Sequence, residues 1–157
     1  MEKMLIKGVA KDDSVARVAV VGVPDSPGIA FKVFSRVAKA HICVDNILQS
    51  VGRDGTKDIA FTVPAGDADE AAAVLRDYCE LVGAKDLLVE KDVAKVSIVG
   101  AGMETHESVA AGMFEALADA NINIQMISSS EIRVSVLVEK KDADRAVEAV
   151  HRHFFGA

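Results

Sequence analysis

The sequence predicts an α+β fold in which one β-α-β-β-α module is written twice. Three observations carry that prediction. The first is internal repetition. VARVAVVGV (15–23) reads like VAKVSIVGA (93–101), AHICVDNI (40–47) like ANINIQMI (120–127), and DADEAAAVL (67–75) like DADRAVEAV (142–150). Three matches in one order, with the register drifting by only a few residues, describe a duplicated module. The second is periodicity, since short Val- and Ile-rich runs alternate with longer segments of helical spacing. The third is an imbalance at the ends. The second copy stops at HRHFFGA with no room for a closing strand, while MLIKGVA (4–10) is a spare apolar run ahead of the first copy.

The elements follow in order. Residues 15–23 form a Val-rich strand, and VPDSPGIAFKVF (23–34) turns directly into a helix over 27–40, with Ile29, Ala30, Val33, Phe34 and Val37 at helical spacing. Ser26 is the expected N-cap and Pro27 the first helical residue, where a missing N–H has no partner to lose. Gly28 inside a first turn costs about 1 kcal/mol against alanine. Without a side chain there, the amides of Gly28, Ile29 and Ala30 lie bare at a helix N-terminus, which is an anion site. Strands over 42–51 and 59–63 flank the turn GRDGTKD (52–58) as a hairpin. A helix over 68–81, led by Asp67 as a cap, and a strand over 87–91 close the copy. The second copy runs through a strand at 96–99, a helix at 107–119, strands at 122–128 and 132–139, and a helix at 142–153.

The first copy is therefore βαββαβ, the split-βαβ or ferredoxin-like arrangement. The second lacks its last strand, and residues 4–10 are expected to supply it. That places one domain at 15–91, inserted within a second made of 4–10 plus 93–157. A frayed N-terminal arm is the alternative.

Composition sets limits on function. At 157 residues the chain is long enough for one medium domain or two small ones, and its 50% apolar content indicates a packed globular protein. A net charge of −6 with 4% aromatic residues argues against nucleic acid, which requires a basic face and stacking rings. No apolar run approaches the length that spans a bilayer, and no secretory signal follows Met1, so a cytoplasmic protein without a membrane partner is expected. Cys43 and Cys79 lie in apolar-periodic segments with no CxxC partner, which suits buried free thiols in a reducing compartment.

Catalytic signatures are missing. Gly100-Ala101-Gly102 has no third glycine at dinucleotide spacing. His151 and His153 face different ways on a helix, which suits solvated side chains better than a metal site. The run 128–131 is a turn without a nucleophile elbow. No cofactor or metal is expected, and the chain by itself should perform no chemistry.

GVPDSPGIAFKVF, ICVDNILQSV with DIAFTV, and the long block VSIVGAGMETHESVAAGMFEALADANINIQMISSSEIRVSVLVEKKDADRAVEAVH together resemble the tandem ACT domains that regulate aspartokinase. The likeness runs from residue 4 to the end, and NINIQMISSSEIRVSVLV is its most specific part. It implies an allosteric regulatory subunit binding L-threonine, L-lysine or both. The short subunit that some bacteria make from an internal start and an excised piece of a longer kinase would look the same, and Met1 does not discriminate between them. It implies feedback control of aspartate-family amino-acid synthesis, a homodimer, and a catalytic aspartokinase subunit as partner. A free-standing ACT-domain amino-acid sensor regulating another pathway or transcription is the alternative.

The resemblance also implies a site. The effector's carboxylate would sit on the turn of Ser26, Pro27, Gly28, Ile29 and Ala30, with Asp25 taking its ammonium. Read from the residues alone, Asp25 is equally a helix-dipole or capping residue. Gln49 matches the family's ligand-contacting glutamine, and Cys43, Val44 and Asp45 fall where the family lines the pocket, Cys43 standing in place of a common asparagine. In the second copy the matched positions are Val109, Ala110, Asn123, Ile124, Ser130 and Glu131. Asn123 could equally be an edge-strand polar residue. Because the second copy has GAGMETHES in place of Pro-Asp-Ser-Pro-Gly, the resemblance implies that it supplies a wall and the first copy the charged contacts.

Overall fold

The structure is a computed structural model that describes residues 5–52, 54–101, 106–130 and 133–156. The chain runs β1 (Leu5–Asp12), β2 (Val15–Pro24), α1 (Ile29–Lys39), β3 (Ile47–Val51), β4 (Thr56–Pro64), α2 (Ala68–Val82), β5 (Asp86–Glu90), β6 (Val93–Ala101), α3 (His106–Asp119), β7 (Met126–Ser129), β8 (Arg133–Glu139) and α4 (Ala143–Phe155). Single 3₁₀ turns, Ala65–Asp67 and Lys140–Asp142, lead into α2 and α4. The chain divides into two units, Ser14–Lys91 and Met1–Asp13 with Asp92–Ala157.

Each unit is a four-stranded antiparallel sheet with two helices, and the two sheets have equivalent orders. The inserted unit reads β3-β4-β2-β5 and the outer one β7-β8-β6-β1. In the inserted unit β5 returns after α2 to pair with β2, from Arg17↔Glu90 to Val21↔Asp86. In the outer unit the corresponding seat beside β6 is taken by β1, from Leu5↔Ala101 to Asp12↔Lys95. The N-terminal strand therefore completes the second ferredoxin-like module. Lys11 also reaches from β1 to Asp144 on α4, at 2.8 Å.

Period-two patterning decides which sheet face is covered. Val18, Val20 and Val23 on β2 and Ile59, Phe61 and Val63 on β4 meet Val33 and Val37 of α1 and Ala71, Leu75 and Tyr78 of α2. The outer module repeats this with Val96, Ile98, Val134, Val136 and Val138 against Val109, Met113 and Leu117 of α3 and Ala146 and Val150 of α4. Each buried Val, Leu, Ile, Phe or Met among these contributes about 1.5–3 kcal/mol on burial. Two separate cores result.

The strands expected at 42–51 and 122–128 begin later, at Ile47 and Met126. The helix ends explain the delay. His41 (φ 60) and Asn121 (φ 59) are left-handed. His41 N–H donates to Ala38 O and Ile42 N–H to Val37 O, and Asn121 and Ile122 do the same to Ala118 and Leu117. These are paired Schellman closures. The chain then crosses to the sheet irregularly, touching β4 through Asp45 N–H to Thr62 O and β8 through Gln125 N–H to Leu137 O. Cys43, expected to be buried, is exposed because it lies on this crossing, whereas Cys79 on α2 is buried.

Candidate functional site

The turn that carries Asp25 is built by a strand irregularity and a helix start. β2 shifts register between Val20 and Val23. There Gly22, at φ 70, donates its N–H to Asp58 Oδ1 at 2.8 Å. After Pro24 the chain leaves the sheet, and Asp25 N–H donates to Gly55 O at 2.9 Å. The turn is thereby tied to the β3–β4 hairpin, whose own tip is closed by Asp54 accepting from the Thr56 amide and hydroxyl. These Thr56 hydrogen bonds, followed by that of Lys85, hold the Asp54 carboxyl well below the usual carboxylate range.

The helix start differs from expectation. α1 begins at Ile29, Gly28 is the N-cap at φ 89, and no side chain caps the helix. Ser26 and Pro27 lie in the preceding turn rather than at N-cap and first helical position. Gly28 is thus required by its left-handed backbone, which an L side chain enters only at a cost of about 1–2 kcal/mol. Nothing lies within 4 Å of where its Cβ would stand, so the space above the turn is open. The first helical bond is Lys32 N–H to Gly28 O at 3.0 Å, and within the turn before it Ile29 N–H makes a long contact to Ser26 O at 3.5 Å. Asp67 is likewise N-cap of α2 without a side-chain cap bond.

Beside this turn sits a residue that the sequence reading missed. Lys57 has a side chain only 8% exposed, and its Nζ lies 3.7 Å from Asp25 Oδ1. Lys57 occupies the core-facing phase of β4, two residues ahead of Ile59, opposite Val23 on β2 and Val51 on β3. The signal was present in KDIAFTV. A lysine in the phase of Ile59, Phe61 and Val63 puts a charge where the pattern wants an apolar side chain.

Gln49 joins the same sheet face, because it is paired with Ile59, the next core-phase residue after Lys57. Asp25, Lys57, Gln49 and the α1 N-terminus thus belong to one end of the inserted module. Val44 packs on that module's core and Asp45 hydrogen-bonds to β4. In the outer module Val109 is fully buried in the core, while Ala110 and Ile124 pack against it partly buried. Asn123 is exposed on the crossing segment. Ser130 closes the β7–β8 turn, its N–H donating to Arg133 O at 2.7 Å, and Glu131 lies outside the described residues. Among the described residues no group of three or more metal-ligating side chains comes together, and no helix is long and apolar enough to cross a membrane.

The fold and this duplicated arrangement define a class, and the comparisons agree with it: residues 17–83 and 96–154 each match an ACT domain family. An aspartate kinase of Stutzerimonas stutzeri is 47% identical over 154 residues, which are 98% of this chain and 37% of that relative. The chain thus spans well under half the length of that curated relative. Two crystal structures are matched along nearly their full chains. One, of aspartokinase alpha and beta subunits, has a TM-score of 0.89 at 44% identity, over 95% of this chain and 98% of that one. The other, the ligand-free regulatory subunit of aspartate kinase from Thermus thermophilus, has a TM-score of 0.90 at 41% identity, over 96% and 99%. The chain belongs to the family of aspartokinase regulatory ACT domains.

Proposed function

We propose that this chain senses an amino acid of the aspartate family, threonine or lysine, and transmits its binding to an aspartokinase catalytic region. The observation that carries the reading is the Asp25–Lys57 pair at the α1 N-terminus. A zwitterion needs a carboxylate for its ammonium and a cationic or amide-lined surface for its carboxylate, close together. Asp25, at 39% exposed, has acceptor capacity beyond its contact with Lys57. The Gly28–Ala30 amides and the Lys57 ammonium supply the opposite pole. Gln49 would hydrogen-bond the ligand from the neighbouring strand, and Ser26, Pro27, Cys43, Val44 and Asp45 would shape the surroundings.

Regulation of this kind works through a second copy and a partner. The edge strands β3 and β7 expose Ile47, Val51 and Ile127, at 57%, 62% and 49%. Such edges are covered by pairing rather than left to solvent. A homodimer, with Ala110, Asn123, Ile124, Ser130 and Glu131 bordering the effector, fits that need, Val109 being held in the core behind them. The catalytic region would respond only to the difference in effector affinity between its two states. A cytoplasmic location is part of this proposal.

The test is calorimetry of the purified chain against L-threonine and L-lysine, with melting curves alongside. At a hundredfold excess over its dissociation constant, a ligand of the native state adds about 2.7 kcal/mol, so melting should rise. Absence of both binding heat and a melting shift, with both amino acids, would refute the reading.

A further inference from the structure

Away from the α1 N-terminus, the helical layer of the inserted module carries a groove of about 480 Å³ between α1 and α2. One wall is Lys32, Arg36 and Lys39, and the other is Val74, Tyr78 and Leu81. Both sets follow i, i+4, i+7 spacing, so each forms a stripe along one helix face. Among the described residues, none of the three cations is ion-paired with an acid. That is notable on a chain whose net charge is −6, because like charges one turn apart repel. The Arg36 guanidinium reaches across to lie 4.9 Å from the Tyr78 ring centroid. Leu81 is 77% exposed, as is Phe31 beside Lys32 at 74%, and the buried Tyr78 hydroxyl has no hydrogen-bond partner.

We propose that this groove docks an acidic amphipathic helix of a partner polypeptide. Carboxylates at i, i+4 and i+7 of that helix would face Lys32, Arg36 and Lys39, and an adjacent apolar stripe would cover the half-buried Val74 and the exposed Leu81, with Tyr78 forming the buried floor between them. The basic wall extends over about 10 Å of helix axis. A compact anion reaches only part of that length and leaves Leu81 uncovered. A third helix matches the repeat of both walls, which is the helix-in-groove mode. Charge complementarity would speed encounter and fix register.

The test is fluorescence anisotropy of a labelled, stapled helical peptide with Glu at i, i+4 and i+7 and Leu on the adjoining face. A twin peptide with Lys in place of Glu is the control. The acidic peptide should bind the wild-type chain saturably and the basic twin should not. Affinity should fall about tenfold or more in Lys32→Glu/Lys39→Glu and, separately, in Leu81→Asp, with melting curves of both variants showing that they fold. Equal binding of the two peptides, or none by the acidic one, would overturn the proposal. So would pyrophosphate or citrate binding that is lost on the double charge reversal but kept in Leu81→Asp, in the absence of peptide binding. Threonine and lysine calorimetry on the same variants reads the effector site separately, since none of these residues belongs to it.

Discussion

The ammonium of Lys57 and the carboxylate of Asp25 lie 3.7 Å apart, with 8% of the lysine side chain exposed against 39% of the aspartate. The two halves of the pair are therefore unequal. Asp25 keeps contact with water, whereas Lys57 depends on its partner.

Removing one member leaves the other exposed to different penalties. Asp25→Ala strands a largely buried ammonium and should destabilise the chain by about 1–3 kcal/mol, below the cost of breaking a fully buried pair. Lys57→Met leaves a partly solvated carboxylate and should cost less. The double variant should recover part of the Asp25→Ala loss. Urea denaturation of the four proteins gives the coupling, and strict additivity would mean that the two charges do not interact.

The N-terminal strand should stabilise one module selectively. Deleting residues 1–12 removes β1 from β6, exposes the edge of the outer sheet and strips Val9 from its core. Calorimetric melting should show the Asp92–Ala157 unit unfolding earlier by several kcal/mol equivalent while the Ser14–Lys91 unit persists. A single unchanged transition would show that β1 contributes little.

The left-handed helix closures make a graded prediction. His41 holds φ 60 at a position that favours glycine, so His41→Gly should stabilise the chain by about 1 kcal/mol. Asn121 tolerates the same conformation better, so Asn121→Gly should gain less. Denaturation midpoints rank the two, and the reverse order would contradict the assignment.

Acid should act through Asp54. Its folded carboxyl titrates below the usual range because Thr56 and then Lys85 hydrogen-bond the charged form. A depressed folded value stabilises the native state above the unfolded carboxylate value of about 4, and that stabilisation is lost as pH falls through the folded one. Asp54→Asn should therefore lower the urea midpoint at pH 7, by a modest amount because the group is exposed. The difference between the two proteins should narrow steadily below about pH 4. A constant difference across that range would assign the effect to geometry instead of charge.

Much of the fold was legible because the module is written twice and its core positions obey strand and helix periods. The spare strand at 4–10 could be placed by counting what the second copy lacked. The short crossings after His41 and Asn121 were not legible as such, since Ile42-Cys43-Val44 and Ile122-Asn123-Ile124 read as strand while their hydrogen bonds follow a helix closure. At the site, Asp25 and Gly28 stood out in the sequence, but the role of Gly28 was misplaced. Its backbone angle, not a bare first turn, is what demands glycine. Lys57 was missed because its partner is distant in sequence, and only the folded sheet brings β4 beside the end of β2.

Asp25 is proposed to belong to an effector site controlling a kinase. Inhibition curves for the aspartokinase assembled with wild-type chain and with Asp25→Ala, against threonine and against lysine, test it most directly. Loss of a charged hydrogen bond worth about 1.5–3 kcal/mol should move the inhibition midpoint for the true effector up by about ten- to a hundredfold. Superimposable curves for both amino acids would show that Asp25 does not hold the effector.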